Sequence, residues 1–180
     1  MSEKFYKLNI AGYQTELPIL QLPSGVKICF FNLHGDTFLT EHCGKELAML
    51  VKDCDVLLTA ESKGLQLTHV IARELGMPYY AVARKSHKLY MQDRLTVNYG
   101  SSITTGEKQN FYLSKKDADL LKGKKVCIVD DVISTGESLK GLEEVVEKAG
   151  GIIHKKAFVL AEGDSKNRDD VIFLETIPLL

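Results

Sequence analysis

The sequence predicts an α/β fold: a parallel sheet with helices packed on its faces. Three observations carry this. Strand-like and helix-like segments alternate from about residue 36 to 160, the order that winds a parallel sheet. Two of the strand-like runs, Val56-Leu57-Leu58-Thr59-Ala60 and Val126-Cys127-Ile128-Val129, carry no charge and do not alternate in polarity, as expected of strands covered on both faces. Each of these runs ends in a polar loop that opens onto a helical pattern. Ligands of open α/β sheets bind at such strand ends.

The elements follow in order. Residues 5–10 and 13–20 alternate loosely around Ala11-Gly12, which predicts a hairpin. Pro23-Ser24-Gly25 is a turn, and residues 26–31 read as a further strand. Asp36 can cap a helix to about Val51, with Phe38, Leu39, Cys43, Leu47, Leu50 and Val51 as its apolar face. After the strand at 56–60, a helix at 65–75 is stopped by Gly76 and Pro78, and residues 79–83 form the next strand. Residues 86–109 lose helical periodicity. There, Leu95-Thr96-Val97 and Phe111-Tyr112-Leu113 bracket the small residues 100–106, which predicts a long mobile hairpin or flap of the kind that serves function. Ser114 can cap a short helix to Leu121. The strand at 126–129 precedes a helix at 139–148, and strands at 152–160 and 171–174 close the chain. No repeat, low-complexity tract or interdomain linker interrupts residues 1–180, which read as one domain.

Composition narrows the function. Of 180 residues, 44% are hydrophobic and 26% charged, enough for a full core. The net charge of −1 offers no basic field for nucleic acid or an anionic membrane. No apolar run approaches the ~20 residues that span a bilayer. The opening Met1-Ser2-Glu3-Lys4-Phe5 lacks the apolar core of a signal peptide, so a cytoplasmic location is expected. Cys29, Cys43, Cys54 and Cys127 include no Cys-x-x-Cys pair, and the histidines show no metal-ligand spacing. His34, His42, His69 and His154 are read as ordinary structural or surface residues, and His87 as a loop residue without a role.

The most informative run is Val126-Cys127-Ile128-Val129-Asp130-Asp131-Val132-Ile133-Ser134-Thr135-Gly136-Glu137-Ser138. A buried strand ends in two carboxylates, Asp130 and Asp131. A loop of Ser134, Thr135, Gly136, Glu137 and Ser138 then leads into a helix. Loop amides and hydroxyls at a helix N-terminus can face a phosphate, which the helix dipole also favours. Ser134 and Glu137 additionally fit a Ser-x-x-Glu capping box, which is compatible with phosphate binding. The run resembles the phosphoribosyl-pyrophosphate (PRPP) signature of the type I phosphoribosyltransferases: four apolar residues, two acids, two apolar residues, then Ser/Ala-Thr-Gly-x-Ser/Thr. Every place is matched.

The resemblance implies a central parallel sheet of about five strands flanked by helices and a long flexible flap. It also implies a small hood from residues 1–35 and about 161–180, and a homodimer. Two further segments extend it. Glu61-Ser62-Lys63-Gly64 follows a buried strand and opens a helix, like the family's pyrophosphate loop. Lys63 stands where adenine enzymes usually carry Arg. Gly64 would let the backbone approach the ligand. Arg84-Lys85 with Lys88 resembles the family's cationic pair and following Lys; Arg84 suits forked binding of phosphate oxygens.

By this resemblance Asp130 and Asp131 accept from the ribose hydroxyls and help hold Mg²⁺, partly through water, as the only cofactor. Together with Arg84 and Lys85 they form the catalytic set. The implied reaction displaces pyrophosphate from C1 of PRPP by a ring nitrogen of a base.

The chain most resembles the adenine/xanthine branch, and Arg168 fits that branch as well. Adenine enzymes carry Glu-Tyr-Gly in the flap, but Thr104-Thr105-Gly106 occupies that place here, and Glu107 is the substitute base. Ser102-Ile103-Thr104 looks more like the xanthine branch. Xanthine enzymes, however, tend to have a Lys after the penultimate strand, where this chain has Glu162. A carboxylate accepts from an exocyclic amine, so adenine is the expected acceptor in purine salvage. Phe30 or Phe31 is the candidate for stacking on the base. The alternatives are a xanthine, guanine or orotate enzyme, or a non-catalytic PRPP sensor resembling the effector domain of the Gram-positive purine repressor. The latter would carry a DNA-binding helical domain, for which no segment precedes the first α/β unit.

Overall fold

The computed structural model describes residues 4–101 and 108–180. The chain opens with three strands, β1 (Phe5–Ile10), β2 (Tyr13–Gln21) and β3 (Lys27–Cys29), joined as an antiparallel sheet in that order. Ala11 and Gly12 turn the first hairpin at positive φ, 48° and 94°. The third strand is shorter than residues 26–31 because its ladder with β2 ends at the Ile19–Cys29 pair; Phe31 then turns into the core. The end of the chain joins this sheet. Lys27 and Leu180 exchange backbone hydrogen bonds of 3.1 and 3.0 Å. The N-terminal segment and the chain end thus meet as the expected hood.

The next elements are α1 (Thr37–Leu50), β4 (Val56–Ala60), α2 (Leu65–Glu74), β5 (Ala81–Ala83), β6 (Leu95–Ser101), β7 (Lys108–Leu113) and α3 (Lys115–Leu121). They are followed by β8 (Lys125–Ile133), α4 (Glu137–Lys148), β9 (Ile152–Glu162), a 3-10 turn (Gly163–Asn167) and β10 (Ile172–Ile177). The central sheet has five parallel strands in the order β10-β9-β8-β4-β5. Its strands send alternate residues to two cores. Cys127 and Val129 face the side of α1 and α2, among Leu47, Leu67 and Ile71. Val126 and Ile128 face α4, among Leu142, Val145 and Phe111. Full burial of each such side chain contributes about 1.5–3 kcal/mol, which is why these strands tolerate no charge.

Helix α1 starts as expected, with Asp36 Oδ1 accepting from the Leu39 amide at 3.0 Å. Its buried stripe is Leu39, Cys43 and Leu47 with Thr40, Gly44 and Ala48. Phe38 and Leu50, assigned to that face from the sequence, are 80% and 44% exposed. The stripe is set by the close crossing with α2, where a Cβ on Gly44 would lie 2.4 Å from Val70 Cγ1. Phe38 sits off that line. Among the described residues no helix is long and apolar enough to cross a membrane.

β6 and β7 form the expected hairpin. It packs on α4, with Tyr99 stacked on Phe111 at a 4.0 Å centroid distance. Gly141 of α4 makes this possible, since a Cβ there would lie 2.7 Å from Tyr99. Residues 102–107, which hold Thr104-Thr105-Gly106 and Glu107, lie outside the described residues.

Candidate active site

The strand order fixes where a ligand can enter. From β4 the chain moves to β5 on one side, then returns to place β8 on the other. The crevice between β4 and β8 is therefore a switch point of the sheet. The ladder between them stops at the Thr59–Val129 pair, while β8 remains paired with β9 as far as Ile133. The strand thus continues past Val129 and carries the acidic pair within it, whereas the sequence placed the pair just beyond its end. Beyond Val129 the β4-side edge of β8 is open, and the loop after β4 lies against it.

Asp131 is 5% exposed, and its Oδ1 accepts from the Val132 amide at 2.9 Å. Its Oδ2 is buried without a hydrogen-bond donor and faces Lys63 Nζ at 3.6 Å. Asp130 Oδ1 accepts from the Asp131 amide at 2.9 Å. Burial first, then the neighbouring Asp131 charge, push the Asp130 carboxyl up to about 7. The backbone of Gly64 sits against both strands. A Cβ there would lie 2.2 Å from Thr59 Oγ1 and 3.1 Å from Asp130 Oδ1.

This pair has a pH signature. In the unfolded chain Asp130 returns to its ordinary value of 3.8. Between 3.8 and about 7 the folded protein holds a proton that the unfolded chain has released. The group's stability contribution is full below the unfolded value and is lost as pH rises through the folded one. Asp53 and Asp170, held low by hydrogen bonds from Lys155 and Arg168 respectively, act oppositely: they lose stability only as pH falls below the ordinary carboxylate range. Without divalent cations, stability from urea titration should fall between about pH 5 and pH 7.5, by up to about 1.4 kcal/mol per pH unit. Asp130→Asn should flatten this slope; an equally steep slope in the variant would contradict the assignment.

The cations gather opposite the carboxylates. Lys63 Nζ lies 5.5 Å from the centroid of the Phe30 ring as well as beside Asp131. Arg84 is held on three sides. Its guanidinium pairs with Glu61 at 2.6 Å and donates to the Tyr90 hydroxyl at 2.8 Å, and its backbone exchanges hydrogen bonds of 2.9 and 2.8 Å with Tyr112. Glu61 also accepts from the Lys85 amide at 3.1 Å. Glu61 therefore meets the anion site as a holder of Arg84 rather than through a group that attracts phosphate. The Lys85 ammonium acts electrostatically on Asp130. Ser62 is exposed on the loop. Lys88 is half-buried, its carbonyl accepting from Met91, and its ammonium makes no contact with the other candidate residues among those described.

On the other side of β8 the loop Ser134–Ser138 borders a cavity of about 180 Å³, which Tyr99 and Asp130 also line. The N-cap of α4 is Gly136 at φ 81°, with no side-chain cap, so the capping box read from Ser134 and Glu137 does not form. Only glycine takes this turn readily, and it starts the helix at Glu137 rather than at 139. Arg168 Nη1 lies 3.0 Å from where a Gly136 Cβ would stand, and the Ser165 hydroxyl donates to the Ser134 carbonyl. A second cavity of about 350 Å³ opens beside the same loop, between Ser134, Thr135, Glu162, Arg168 and Leu179. Of the two aromatic candidates, Phe31 is 2% exposed within the core and is unavailable for stacking on a ligand. Phe30, next in the alternation, is 36% exposed beside Lys63.

The family model for the phosphoribosyl transferase domain matches residues 41–177, a span that contains all three loops of this crevice. The chain belongs to the phosphoribosyltransferase family. Among curated relatives, a xanthine phosphoribosyltransferase of an Exiguobacterium species is 32% identical over 145 residues, 79% of this chain and 74% of the relative. A xanthine phosphoribosyltransferase of Bacillus cereus is 32% identical over 156 residues, 82% and 77% of the two chains. Among solved structures, the adenine phosphoribosyltransferase of Thermoanaerobacter pseudethanolicus superimposes with a TM-score of 0.72 at 23% identity, covering 89% of this chain and 95% of that one. This likeness establishes the type I phosphoribosyltransferase fold.

Three site neighbours escaped the sequence reading. Tyr99 of the hairpin lines the cavity beside Ser138, Ser165 secures Ser134, and Tyr90 holds Arg84. The alternation of Val97, Tyr99, Phe111 and Leu113 was a signal that one face of the hairpin is buried. Nothing local marked Ser165 or Tyr90.

Proposed function

We propose that this phosphoribosyltransferase moves the phosphoribosyl group of PRPP onto a ring nitrogen of a purine base, releasing pyrophosphate and a nucleoside 5′-monophosphate. The observation that carries this is the meeting of three loops at one switch point: Asp130-Asp131, Lys63-Gly64 and Arg84-Lys85. The Ser134–Ser138 loop receives the 5′-phosphate at the start of α4, where free amides and the helix dipole favour an anion. Asp130 and Asp131 accept from the ribose hydroxyls. Lys63, Arg84 and Lys85 face the pyrophosphate, whose negative charge grows as its bond to C1 breaks; charge-assisted contacts of this kind contribute about 1.5–3 kcal/mol each. Glu61 keeps Arg84 in place for that role.

The donors present fit Mg²⁺. Two adjacent carboxylates, one with a buried oxygen lacking a donor and the other raised first by burial and then by its neighbour's charge, suit a hard cation bound partly through water. Bound there with PRPP, Mg²⁺ would supply positive charge to the pyrophosphate oxygens.

The base is assigned to the cavity beside Glu162, and Phe30, the exposed aromatic beside Lys63, is the candidate to stack on it. A carboxylate accepts from the exocyclic amine of adenine and repels the oxygens of xanthine. Adenine is therefore the proposed acceptor. The relatives above support the second reading, xanthine. Measuring kcat/KM for adenine, guanine, hypoxanthine and xanthine decides between them. Adenine should lead, and Glu162→Lys should narrow or invert the ratio of adenine to xanthine. Xanthine leading in the unchanged protein would favour the second reading. An unchanged ranking in the variant would remove Glu162 from the base pocket.

A further inference from the structure

At the N-terminal ends of the central strands, opposite the crevice, three metal-binding side chains of different kinds converge. Asp53 and Cys54 lie in the loop between α1 and β4, and His154 lies near the start of β9. One ligand atom from each falls within 4.8 Å of the others. His154 Nε2 stands 2.8 Å from Asp53 Oδ2, although the two residues are 101 positions apart in the chain. No local spacing of cysteine and histidine could have announced this group. Cys54 is 7% exposed and belongs to the same buried cluster as Cys127.

We propose that Asp53, Cys54 and His154 form a site for a thiophilic divalent cation of the Zn²⁺ kind. One thiolate sulfur, one imidazole nitrogen and one carboxylate oxygen are all ligands that Zn²⁺ accepts, in a tetrahedron with bonds of about 2.0–2.3 Å. Such bonds place ligand atoms roughly 3.5 Å apart. The cluster needs only small rotations of Asp53 and His154, both of which are partly exposed. Lys155 already holds Asp53 Oδ1 and donates to the Leu50 carbonyl at 2.8 Å, so it steadies the carboxylate and leaves Oδ2 for the cation. The cation would replace the hydrogen bond between His154 and Asp53 and release the Cys54 thiol proton. Water completes the fourth position on the solvent side. Hard Mg²⁺ has little use for sulfur and nitrogen donors, which separates this site from the acidic pair in the crevice.

The consequence is structural. The cation ties the loop before β4 to β9 and binds only the folded chain, so it should raise thermal stability. The test uses the full chain after chelator treatment. Titration with Co²⁺ should give a thiolate-to-cobalt absorption band that saturates at one equivalent and is bleached by Zn²⁺, and Zn²⁺ should raise the melting temperature. His154→Gln and Asp53→Asn, at partly exposed positions, should fold normally and weaken Zn²⁺ binding about tenfold or more. Cys54→Ser should lose the band. Asp131→Asn should keep both the band and the thermal shift, and His154→Gln should keep turnover with PRPP. Absence of a thiolate band, or unchanged Zn²⁺ affinity in both His154→Gln and Asp53→Asn, would overturn the proposal.

Discussion

Gly64→Ala is expected to lower kcat/KM for PRPP by about two orders of magnitude, the scale of loss that follows an ångström of misplacement in an active site. The cause is space rather than backbone strain. Gly64 has an ordinary φ of −77°, but its Cβ would meet Thr59 Oγ1 at 2.2 Å and Asp130 Oδ1 at 3.1 Å. Thr59 is fully buried within β4 and has nowhere to move. The loop must lift instead, carrying Lys63 away from Asp131 and the loop amides away from the pyrophosphate. Thr59→Ala removes the closest clash, so the double variant Gly64→Ala/Thr59→Ala should recover part of the loss. Wild-type kinetics in Gly64→Ala would show that the loop carries no ligand.

Asp131→Asn should weaken PRPP binding by about 1–3 kcal/mol, the cost of one charge-assisted contact. The buried Oδ2 has no donor of its own, and in the proposed complex it would accept from the ribose. An amide there presents a donor on one side and removes the partner of Lys63. Thr135→Ala, on the phosphate loop, should weaken the same equilibrium by a smaller amount. Calorimetry reads both. Unchanged affinity in the two variants would take PRPP out of this crevice.

The sequence made the sheet and its three loops legible for a physical reason. The strands at 56–60 and 126–129 are buried on both faces, so their composition is constrained at every position, and the loops after them need small, charged or hydroxyl residues in fixed order. The chemistry of Asp130, Lys63 and Arg84 is therefore written locally. What depended on packing was not. Phe30 and Phe31 are both aromatic, and only the course of the chain after β3 decides that Phe31 enters the core while Phe30 stays beside Lys63. Phe38 fits a helical stripe by spacing, yet the crossing of α1 over α2 turns it outward. The start of α4 looked like a capping box because Ser134 and Glu137 have the right spacing, whereas Gly136 at positive φ makes the turn. The partnership of Glu61 with Arg84 and the meeting of Cys54 with His154 join segments distant in sequence, and no local pattern along the chain marks either pair.

Group transfer from PRPP can be measured directly. Purified protein is incubated with PRPP and Mg²⁺, with each purine base in turn, and both pyrophosphate and nucleoside 5′-monophosphate are quantified. Equimolar formation of the two products with at least one purine, abolished in excess EDTA and in the double variant Asp130→Asn/Asp131→Asn, is the expected result. Binding of PRPP without either product, whatever the base, would contradict it and leave the chain a sensor of PRPP rather than an enzyme.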